Sequence, residues 1–467
     1  MPELPEVETI RRTLEANYVN NKIVKVEVLY ERMIKSPLDE FINKVTSSTI
    51  SSFGRRGKYL LINLDNGYTI ISHLRMEGKY FLREINEELS KYTRVIFTLE
   101  NGSRLCYEDV RKFGIMYLTP TTKVNEFEEI AKLGPEPFEI KDASYLHKAF
   151  KNKKVEIKAA LLDQTIMTGL GNIYADEVCF KTKINPFKKA NTLTLKECED
   201  ILKASVETLN DAIKSGGSTI ATYHPAKGVD GMFQTKLLAY GKEGKKCPVC
   251  SSTMRKAIIK GRGTTYCPHC QNVALIVGIT GKIASGKSTV TKLFKEKSCP
   301  TISSDEIVTN LYKELSFKKK LIEMFSPEVL NDDLSISKGY IKNVINLDPN
   351  KKKELEELVH PLVRAKIESF ISSHMNEKMI VVEVPLLFEA GFENLFDVII
   401  GVQASSLTQI NHLNARKSLN VAKDLKLNES SQFDKNAKKC TYLIDNNYSL
   451  LDLRMNVDKL YLLILNS

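Results

Sequence analysis

The first residues of the chain could form a nucleophile with its own proton carrier, because the chain opens with Pro2-Glu3-Leu4-Pro5-Glu6-Val7-Glu8. If Met1 is removed, Pro2 becomes a secondary amine at the α-position, where the pKa is about 7.7–8. Such an amine can attack a sugar or aldehyde carbon and give an iminium ion, which acts as an electron sink. Glu3 stands beside it and could carry the protons. From these residues alone, the alternative is an inert terminus that begins a helix at Val7.

Four of the nine cysteines form a second chemical pattern, Cys247-x2-Cys250-x16-Cys267-x2-Cys270. Two Cys-x2-Cys knuckles can present four thiolates tetrahedrally, which is the geometry of a closed structural zinc site. A chance cluster of core cysteines is the alternative. The other cysteines are scattered singly, which favours reduced thiols over disulfides. We therefore expect one structural Zn2+ in a small ribbon.

A third pattern is a phosphate-binding loop between an apolar strand, Leu275 to Ile279, and a helix expected from Thr289 to Lys297. In such a loop Lys287 would neutralise the β- and γ-phosphates of a nucleotide, and Ser288 would bind Mg2+. A chance match is the alternative. The predicted ATP-binding residues of the loop are Gly281, Lys282, Ile283, Ala284, Ser285, Gly286, Lys287, Ser288 and Thr289.

The length and net charge of the chain indicate how many domains and which class of partner to expect. The 467 residues exceed what one hydrophobic core usually supports, so two or three domains are expected. The formal net charge of +11 favours polyanionic partners, although a solvated basic surface would give the same charge. We find no signal peptide and no apolar stretch near ~20 residues, and we expect a cytoplasmic protein without a membrane span.

The character of the chain changes twice along its length. Short strand-like runs with Asn66-Gly67 and Asn101-Gly102 turns extend to about Leu118, and helical spacing follows to about Lys214. A glycine-rich stretch then leads into the cysteines. From Ala274 onward, strands alternate with charged helical segments, which is typical of a parallel α/β sheet.

Gly169 and Gly171 would let the backbone approach a phosphate just before a helix N-terminus, although an ordinary turn between helices is the alternative. Further motifs stand in order along the first half: the terminal run from Pro2 to Glu8, Gly57-Lys58, His73-Leu74-Arg75-Met76-Glu77-Gly78, Asp109-Val110-Arg111-Lys112-Phe113-Gly114, Gly169-Leu170-Gly171-Asn172-Ile173-Tyr174 and the cysteine ribbon. On these motifs, residues 1 to about 271 resemble a bacterial formamidopyrimidine-DNA glycosylase.

The resemblance implies a role for each matched residue. Pro2 matches the nucleophile that displaces a damaged purine at C1′ and forms a Schiff base, and Glu3 matches the general acid and base. Strand scission by successive eliminations would follow. Glu6 matches a supporting carboxylate. The residues that match phosphate contacts around the everted nucleotide are Lys58, which we also count as catalytic, Asn172 and Arg262.

Met76, Arg111 and Phe113 match the side chains that fill the gap left by a flipped base. Without the resemblance, Met76 and Phe113 would be interpreted as core residues. The form of the N-terminus favours the branch acting on oxidised purines over related endonucleases that prefer oxidised pyrimidines. We expect 8-oxoguanine and formamidopyrimidines in double-stranded DNA as substrates, with a loop from Ser215 to Gly231 closing over the base.

The second half carries, after the phosphate loop, the motifs Ser303-Ser304-Asp305, His360-Pro361-Leu362-Val363-Arg364, Glu383-Val384-Pro385-Leu386-Leu387-Phe388-Glu389 and Asp445-Asn446-Asn447. In this order they are similar to those of a dephospho-CoA kinase, over about residues 274 to 467. The resemblance implies that Asp305 activates the 3′-hydroxyl of dephospho-CoA for attack on the γ-phosphate of ATP. Glu383 would join Ser288 at Mg2+, Arg416 would contact ATP, and His360 and Arg364 would lie in the CoA-substrate region.

This half departs from the family pattern at several positions. Lys282 and Ala284 replace loop glycines, Ser303 replaces an expected Asp, and Thr309 stands where an Arg is usual. In the lid, His412 stands where a second Arg is expected. Lysine cannot reproduce the bidentate grip of arginine on phosphate. A degenerate, non-catalytic nucleotide-binding module is therefore the alternative for this half.

Together with the sequence patterns, the two resemblances imply a multidomain α+β and α/β protein. Its parts are an N-terminal β-sandwich at 1–120, a helix-two-turns-helix DNA-binding domain at 121–220, a lesion loop and zinc ribbon at 221–272, and a P-loop kinase domain with a parallel sheet at 273–467. The main hypothesis is a bifunctional monomer acting on damaged DNA and, with ATP and Mg2+, on dephospho-CoA. If Met1 is retained, the first half becomes a DNA-binding module without catalysis.

Overall fold

The structure is a computed structural model that describes residues 2–218, 233–415 and 433–466. The chain divides into two compact units, Met1–Asn272 and Val273–Ser467, and each is described by itself. Within the described ranges, no helix is both long enough and apolar enough to cross a membrane.

Eight strands form two antiparallel sheets in the first unit. They are β1 (Ile23–Val28), β2 (Ile50–Arg56), β3 (Tyr59–Leu64), β4 (Tyr68–His73), β5 (Lys79–Glu84), β6 (Thr93–Leu99), β7 (Ser103–Glu108) and β8 (Ile115–Pro120). One sheet has the order β1-β6-β7-β5 and the other β2-β3-β4-β8. Apolar side chains of both sheets, such as Phe97 and Ile62, share one core. The predicted β-sandwich is thus confirmed.

The predicted Asn-Gly turns lie where the hairpins need them. Asn66-Gly67 joins β3 to β4, and Asn101-Gly102 joins β6 to β7. Gly67 has φ +79° and Gly102 has φ +81°, and glycine adopts such values without steric cost. These turns fix the register that brings one face of each strand to the core.

Helix α1 (Leu4–Tyr18) begins immediately after Glu3, whose N–H donates to the Glu6 carboxylate at 2.8 Å. Pro5 in the first turn costs no intrahelical hydrogen bond. Val7, Ile10 and Leu14, spaced by three and four residues, pack into the sandwich core. Because helix α1 is anchored on this face, the position of the N-terminal residues is fixed.

A helical region follows the sandwich. It contains α3 (Glu128–Ala131), α4 (Ser144–Phe150), α5 (Ile157–Leu161), α6 (Asn172–Lys181) and α7 (Leu195–Lys214), while α2 (Leu38–Val45) lies within the sandwich. Thr194 caps α7 by accepting the N–H of Glu197 at 3.2 Å. The core of this region includes Phe150, Tyr174 and Leu209, and it also takes Leu4 from α1. Short 3-10 turns occur at Glu31–Met33, Thr121–Glu126, Pro137–Glu139, Ala190–Thr192 and Phe233–Lys236.

The first unit ends in a two-stranded ribbon, β9 (Arg255–Ile259) and β10 (Arg262–Tyr266). Ile259 pairs directly with Arg262, so Lys260 and Gly261 form a two-residue turn. Both have positive φ, +47° and +73°, as a type I′ turn requires.

The second unit is built on one parallel sheet. Its strands are β11 (Leu275–Gly281), β12 (Thr301–Ser303), β13 (Met379–Glu383), β14 (Val398–Gln403) and β15 (Tyr442–Asp445), in the order β12-β13-β11-β14-β15. The predicted parallel α/β sheet is confirmed. All five strands end at one edge, where loops can form a ligand site.

Helices flank this sheet. They are α8 (Lys287–Glu296), α9 (Ser304–Leu311), α10 (Leu315–Phe325), α11 (Lys338–Leu347), α12 (Pro349–Ser373), α13 (Ser406–Ala415), α14 (Phe433–Asn436) and α15 (Leu450–Asn466), with 3-10 turns at Pro327–Val329, Glu393–Leu395 and Ala437–Lys439. Helix α8 begins two residues before the predicted Thr289, because Gly286, at φ +100°, ends the phosphate loop directly before Lys287.

Candidate active sites

Glu3 is almost fully buried and its carboxylate lies at the N-terminus of α6. It accepts hydrogen bonds from the backbone N–H groups of Gly171 at 2.7 Å, Ile173 at 3.0 Å and Tyr174 at 3.4 Å. The N–H groups at a helix N-terminus stabilise negative charge. In this structure the Glu3 carboxylate therefore occupies the helix N-terminus that the sequence pattern assigned to a phosphate.

Burial raises the pKa of Glu3 to about 7, although the charge of Lys58 and the backbone hydrogen bonds lower it. The nearby Glu6 carboxylate raises the pKa further. A carboxyl group that titrates near neutral pH can both donate and accept a proton in one reaction cycle. This is the property that the proposed acid and base needs.

The two glycines before α6 are required by the fit of α1 against α6. A Cβ on Gly171 would stand 2.3 Å from Cδ of Glu3, and a Cβ on Gly169 would stand 2.5 Å from Cδ1 of Leu4. Gly169 also has φ +109° and accepts the N–H of Leu4 through its carbonyl at 3.2 Å. A side chain at either position would push Glu3 away from α6.

A cavity of about 470 Å³ opens beside these residues. Five predicted site residues from separate segments line it, namely Glu3, Lys58, Met76, Asn172 and Arg262. Lys58 is buried between β2 and β3, and its Nζ donates to the carbonyl oxygen of Leu170 at 2.7 Å. Burial lowers the pKa of Lys58, while Glu3 and Glu6 raise it. The cavity thus combines a carboxyl group and an amine that both titrate away from their usual pH ranges.

Glu6 supports this arrangement from the first turn of α1. Its Oε1 accepts the Tyr174 hydroxyl at 2.5 Å and both the N–H and the hydroxyl of Ser218, at 2.8 and 2.9 Å. Its Oε2 holds the N–H of Glu3. Pro2, half-buried, precedes this pair. The predicted closing loop from Ser215 to Gly231 lies mostly outside the described residues, which resume at Phe233.

Arg111 and Phe113 form an exposed pair on the loop after β7. The Arg111 guanidinium lies 4.8 Å from the centre of the Phe113 ring. The buried Asp109 holds the loop by accepting the N–H of Arg111 at 3.0 Å and that of Gly114 at 2.7 Å. Phe113 is 50% exposed and Met76 is 37% exposed, so the interpretation of both as core residues is wrong.

A buried ion pair that was not predicted from the sequence joins the helical region to the ribbon. Lys158 and Asp176 are fully buried, with Nζ and Oδ1 2.6 Å apart. Lys158 and Asn172 both donate to the carbonyl oxygen of Gly263, and Asp176 accepts the N–H of Thr265 at 3.0 Å. These bonds hold β10, and hence the start of that strand at Arg262, against α6. In the sequence, this ion pair could have been suspected from Lys158, because it stands among apolar residues next to Ile157.

Two further buried carboxylates accept hydrogen bonds from residues that are distant in sequence. Glu136 binds Arg55 through two bonds of 2.6 and 3.0 Å and accepts the N–H of Gly57 at 2.8 Å, next to Lys58. Glu177 accepts three backbone N–H groups at 2.9 Å, those of Leu238, Ala239 and Tyr240. Glu136 therefore fixes the turn before Lys58, and Glu177 fixes the segment of chain that leads into the ribbon.

The four cysteines of the predicted zinc site come together at the end of the ribbon. Their Sγ atoms all lie within 4.8 Å of one another. Backbone N–H groups point at two sulfurs, from Val249 to Cys247 and from Cys270 to Cys267, each at 3.4 Å. Four thiolates at this separation fit a tetrahedral Zn2+.

Hydrogen bonds within the phosphate loop of the second unit hold the Lys287 side chain. Lys287 Nζ donates to the carbonyl oxygens of Gly281 at 3.0 Å and Lys282 at 2.8 Å. Ser288 Oγ donates to the buried Glu383 at 2.8 Å, which joins the two predicted Mg2+ ligands. Hydroxyl and carboxylate oxygens are ligands that Mg2+ prefers, so this pair fits the ion.

The remaining kinase candidates lie at different places around the sheet. Asp305 is exposed in the first turn of α9, just beyond Ser303, which pairs in register with Glu383. Asp305, Glu383 and the phosphate loop thus lie at the ends of neighbouring parallel strands, along the same edge of the sheet. On α12, the His360 ring lies 6.3 Å from that of Phe392, and Arg364 donates to the carbonyl of Gly391 at 2.6 Å. Arg416 lies outside the described residues.

Family models match the chain in four consecutive segments. They are the formamidopyrimidine-DNA glycosylase N-terminal domain at residues 1–116, the formamidopyrimidine-DNA glycosylase H2TH domain at 133–224, the zinc finger found in FPG and IleRS at 244–273, and dephospho-CoA kinase at 275–452. The last match covers the phosphate loop, Asp305 and Glu383.

Known proteins resemble the first 58% of the chain. The formamidopyrimidine-DNA glycosylase of Bacillus anthracis is 46% identical over 274 residues, which are 99% of its length. That of Ligilactobacillus salivarius is 46% identical over 277 residues, also 99% of its length. A solved structure of Lactococcus lactis Fpg with DNA containing an abasic site has 40% identity and a TM-score of 0.55, and the match covers 99% of it. The chain belongs to the formamidopyrimidine-DNA glycosylase family and continues into a dephospho-CoA kinase domain.

Proposed function

We propose that the first unit removes oxidised purines from double-stranded DNA and then cuts the strand, with Pro2 as nucleophile and Glu3 as proton carrier. One observation carries this proposal: Glu3 is buried against three backbone N–H groups, with its pKa raised to about 7, one residue from Pro2. Removal of Met1 would turn the Pro2 nitrogen into an amine that is partly uncharged at neutral pH.

The chemistry follows from these two groups. The Pro2 nitrogen attacks C1′ as the bond to the damaged base breaks, and the proton that the nitrogen loses can go to the departing base. The nitrogen lone pair then expels O4′ from C1′, which opens the sugar ring, and protonated Glu3 can supply the proton that O4′ takes up. The ring-opened adduct is an iminium ion, which takes up the electron pair released when C2′ loses its proton. Ionised Glu3 can accept that proton, and the 3′-phosphate leaves. A second elimination releases the 5′-phosphate.

The other residues would hold the DNA around this reaction. Lys58, Asn172 and Arg262 line the cavity and would bind phosphates of the everted nucleotide. Met76, Arg111 and Phe113 would fill the gap in the duplex, since all three are exposed. Solved complexes of two Lactococcus lactis Fpg mutants with Fapy-dG-containing DNA, at 40% identity, support formamidopyrimidines as substrates here.

Borohydride trapping tests this mechanism, because it reduces an iminium ion to a stable amine. We expect a covalent complex with an 8-oxoguanine duplex, and we expect peptide mapping to place the DNA on Pro2. Intact-mass analysis should show that Met1 is absent. Attachment to a lysine, or retained Met1 with DNA binding and no trapping, would contradict the proposal.

We propose that the second unit transfers the γ-phosphate of ATP to the 3′-hydroxyl of dephospho-CoA. The contact between Ser288 and Glu383, beside Lys287, supports this best, because a hydroxyl and a carboxylate that could bind Mg2+ lie together at the phosphate loop. Asp305 would accept the hydroxyl proton. His360 and Arg364 would contact the CoA substrate, and Arg416 the ATP.

An assay of dephospho-CoA phosphorylation tests the second proposal, with Asp305→Ala as the variant. Glu306→Ala is the matched control, because Glu306 is also an exposed acid in the first turn of α9. We expect turnover in the wild type and in Glu306→Ala, and its loss in Asp305→Ala. No turnover in the wild type would leave a nucleotide-binding module without catalysis.

We further propose that the protein acts as a cytoplasmic monomer, since chromosomal DNA, ATP and dephospho-CoA would all be available there. Cell fractionation and light scattering after size-exclusion chromatography would test the location and the mass. A stable dimer would contradict the monomer.

A further inference from the structure

Lys282 is one of the predicted ATP-binding residues of the phosphate loop, but its charged side chain has no stated role in the proposed function. It is the second residue of the loop, where the family pattern has glycine. Its Nζ lies 2.6 Å from Oδ2 of Asp434 in α14, and the Asp434 side chain is 72% exposed. The Lys282 side chain is only 21% exposed, so the ion pair that joins the loop to α14 is open to water on its Asp434 side.

The backbone of Lys282 is next to the expected position of the phosphates. Lys287 Nζ, the proposed partner of the β- and γ-phosphates, is 2.8 Å from the carbonyl oxygen of Lys282. A lysine side chain extends about 6 Å from Cα to Nζ. The Lys282 ammonium can therefore reach phosphate oxygens bound at Lys287 once it leaves Asp434.

Exchange of Asp434 for a nucleotide is favourable on electrostatic grounds. Exposed ion pairs contribute little to stability, because water and salt screen them. A triphosphate carries several charges, and the loop shields them from water, so the same ammonium interacts with it more strongly. Asp434 would then hold Lys282 in the absence of nucleotide and release it on binding.

A second observation concerns the position where the family pattern has a second arginine near the nucleotide. His412 stands where an Arg is expected, and its Nδ1 lies 2.8 Å from the carbonyl oxygen of Ala284 in the loop. This contact engages the imidazole with the loop backbone. A histidine thus stands at a position where the family pattern has arginine, and a lysine stands on the loop where it has glycine.

Resting on the proposed nucleotide-binding function, we propose that Lys282 is a second phosphate-binding cation of the loop, held by Asp434 until ATP binds. It would compensate on the loop for the arginine that His412 replaces. The ligand class is a nucleoside triphosphate with Mg2+, and the contact is to its phosphates rather than to its base.

Titration of the purified full chain with a fluorescent ATP analogue and Mg2+ tests this role. We expect Lys282→Met to weaken binding about tenfold, since it removes one charge-assisted contact. Asp434→Asn should bind as tightly as the wild type or more tightly, because it removes a competing carboxylate. Lys297→Met is the matched control: Lys297 pairs with the half-exposed Asp458 at the opposite end of α8, and this variant should bind normally. In the phosphorylation assay, Lys282→Met should raise the KM for ATP more than it lowers kcat.

The two substitutions of the ion pair distinguish the explanations. If Lys282 only tethers the loop, Asp434→Asn and Lys282→Met weaken binding equally, and this result would overturn the inference. Unchanged binding in Lys282→Met, with loss of binding in Lys287→Ala, would also overturn it while leaving the nucleotide site intact. Absence of saturable binding by the wild type would instead refute the proposed nucleotide function. Thermal unfolding followed by circular dichroism should show that each variant folds.

Discussion

Glu3 in the first unit accepts three backbone N–H groups from a helix about 170 residues away in sequence, whereas Lys287 in the second unit donates to carbonyls of its own loop. The bonds of Glu3 hold a proton carrier in place before any substrate arrives. The Lys287 ammonium donates its hydrogen bonds to loop carbonyls, and bound phosphates would replace these carbonyls as acceptors. One site is therefore built by distant packing, and the other by a local loop that exchanges internal contacts for ligand contacts.

This difference has a consequence for mutation. Packing changes far from Pro2 should damage the first site, because α1, α6 and the ribbon must all meet there. The second site should depend mainly on residues within the loop and at the ends of the neighbouring strands. Substitutions around Glu3 can test the first part of this contrast, and the kinase activity of the same chain provides an internal reference.

The largest effect is expected for Glu3→Gln. The amide cannot exchange protons, so excision of 8-oxoguanine should slow roughly 10²–10⁴-fold. Single-turnover excision from a labelled duplex measures this rate, and Glu40→Gln, an exposed residue of α2, is the control. Phosphorylation of dephospho-CoA should not change. Excision at a normal rate in Glu3→Gln would exclude Glu3 as the proton carrier.

Gly171→Ala should slow excision about 100-fold, because a small displacement of a catalytic group has an effect of this size. The new Cβ would stand 2.3 Å from Cδ of Glu3 and push the carboxylate off α6. Gly339→Ala is the control, since nothing lies within 4 Å of a Cβ at that position. The same single-turnover assay measures both variants. Equal rates would show that the close approach of Gly171 to Glu3 does not position the acid.

The pH dependence of excision should show a smaller, graded effect. With the pKa of Glu3 raised to about 7, its protonated fraction falls about tenfold per pH unit above that value. The uncharged fraction of the Pro2 amine falls similarly below about 7.7–8. The rate should therefore be bell-shaped, with a maximum between about pH 7 and 8.

The substitution Lys58→Met tests whether Glu3 is the group responsible for the fall in rate at high pH. The charge of Lys58 lowers the pKa of Glu3, so its removal should raise that pKa and move the falling limb to higher pH. Lys148→Met, at an exposed position of α4, should leave the limb unchanged. A limb that moves to lower pH in Lys58→Met would contradict the assigned electrostatics.

The pKa shift of Glu3 also affects stability, with a definite sign. Because its pKa is raised from 4.5 to about 7 on folding, the folded state keeps a proton that the unfolded state has lost between these pH values. The contribution of Glu3 to stability is therefore largest below about pH 4.5 and declines as the pH rises to about 7.

Local patterns were sufficient to predict much of the fold. The strand periodicity, the Asn-Gly turns and the end of α7 at Lys214 follow from residues that are neighbours in sequence. The first turn of α8 was placed two residues late, because that boundary depends on the positive φ of Gly286 rather than on apolar spacing.

The contacts that complete the first site could not be predicted in this way. The approach of Glu3 to Gly171 and the Lys158–Asp176 pair depend on how α1, α6 and the ribbon pack together. Nothing in the sequence near Glu3 indicates that a helix N-terminus will receive it. The cysteine spacing, in contrast, predicted a set of ligands that the ribbon does bring together.

The most direct test of the account is to measure both activities in one purified preparation of wild type, Glu3→Gln and Lys287→Ala. We predict that the wild type cleaves an 8-oxoguanine duplex and phosphorylates dephospho-CoA. Glu3→Gln should lose only the first activity, and Lys287→Ala only the second. If the wild type lacks either activity, or if one substitution abolishes both, the chain does not carry two separate catalytic sites as described.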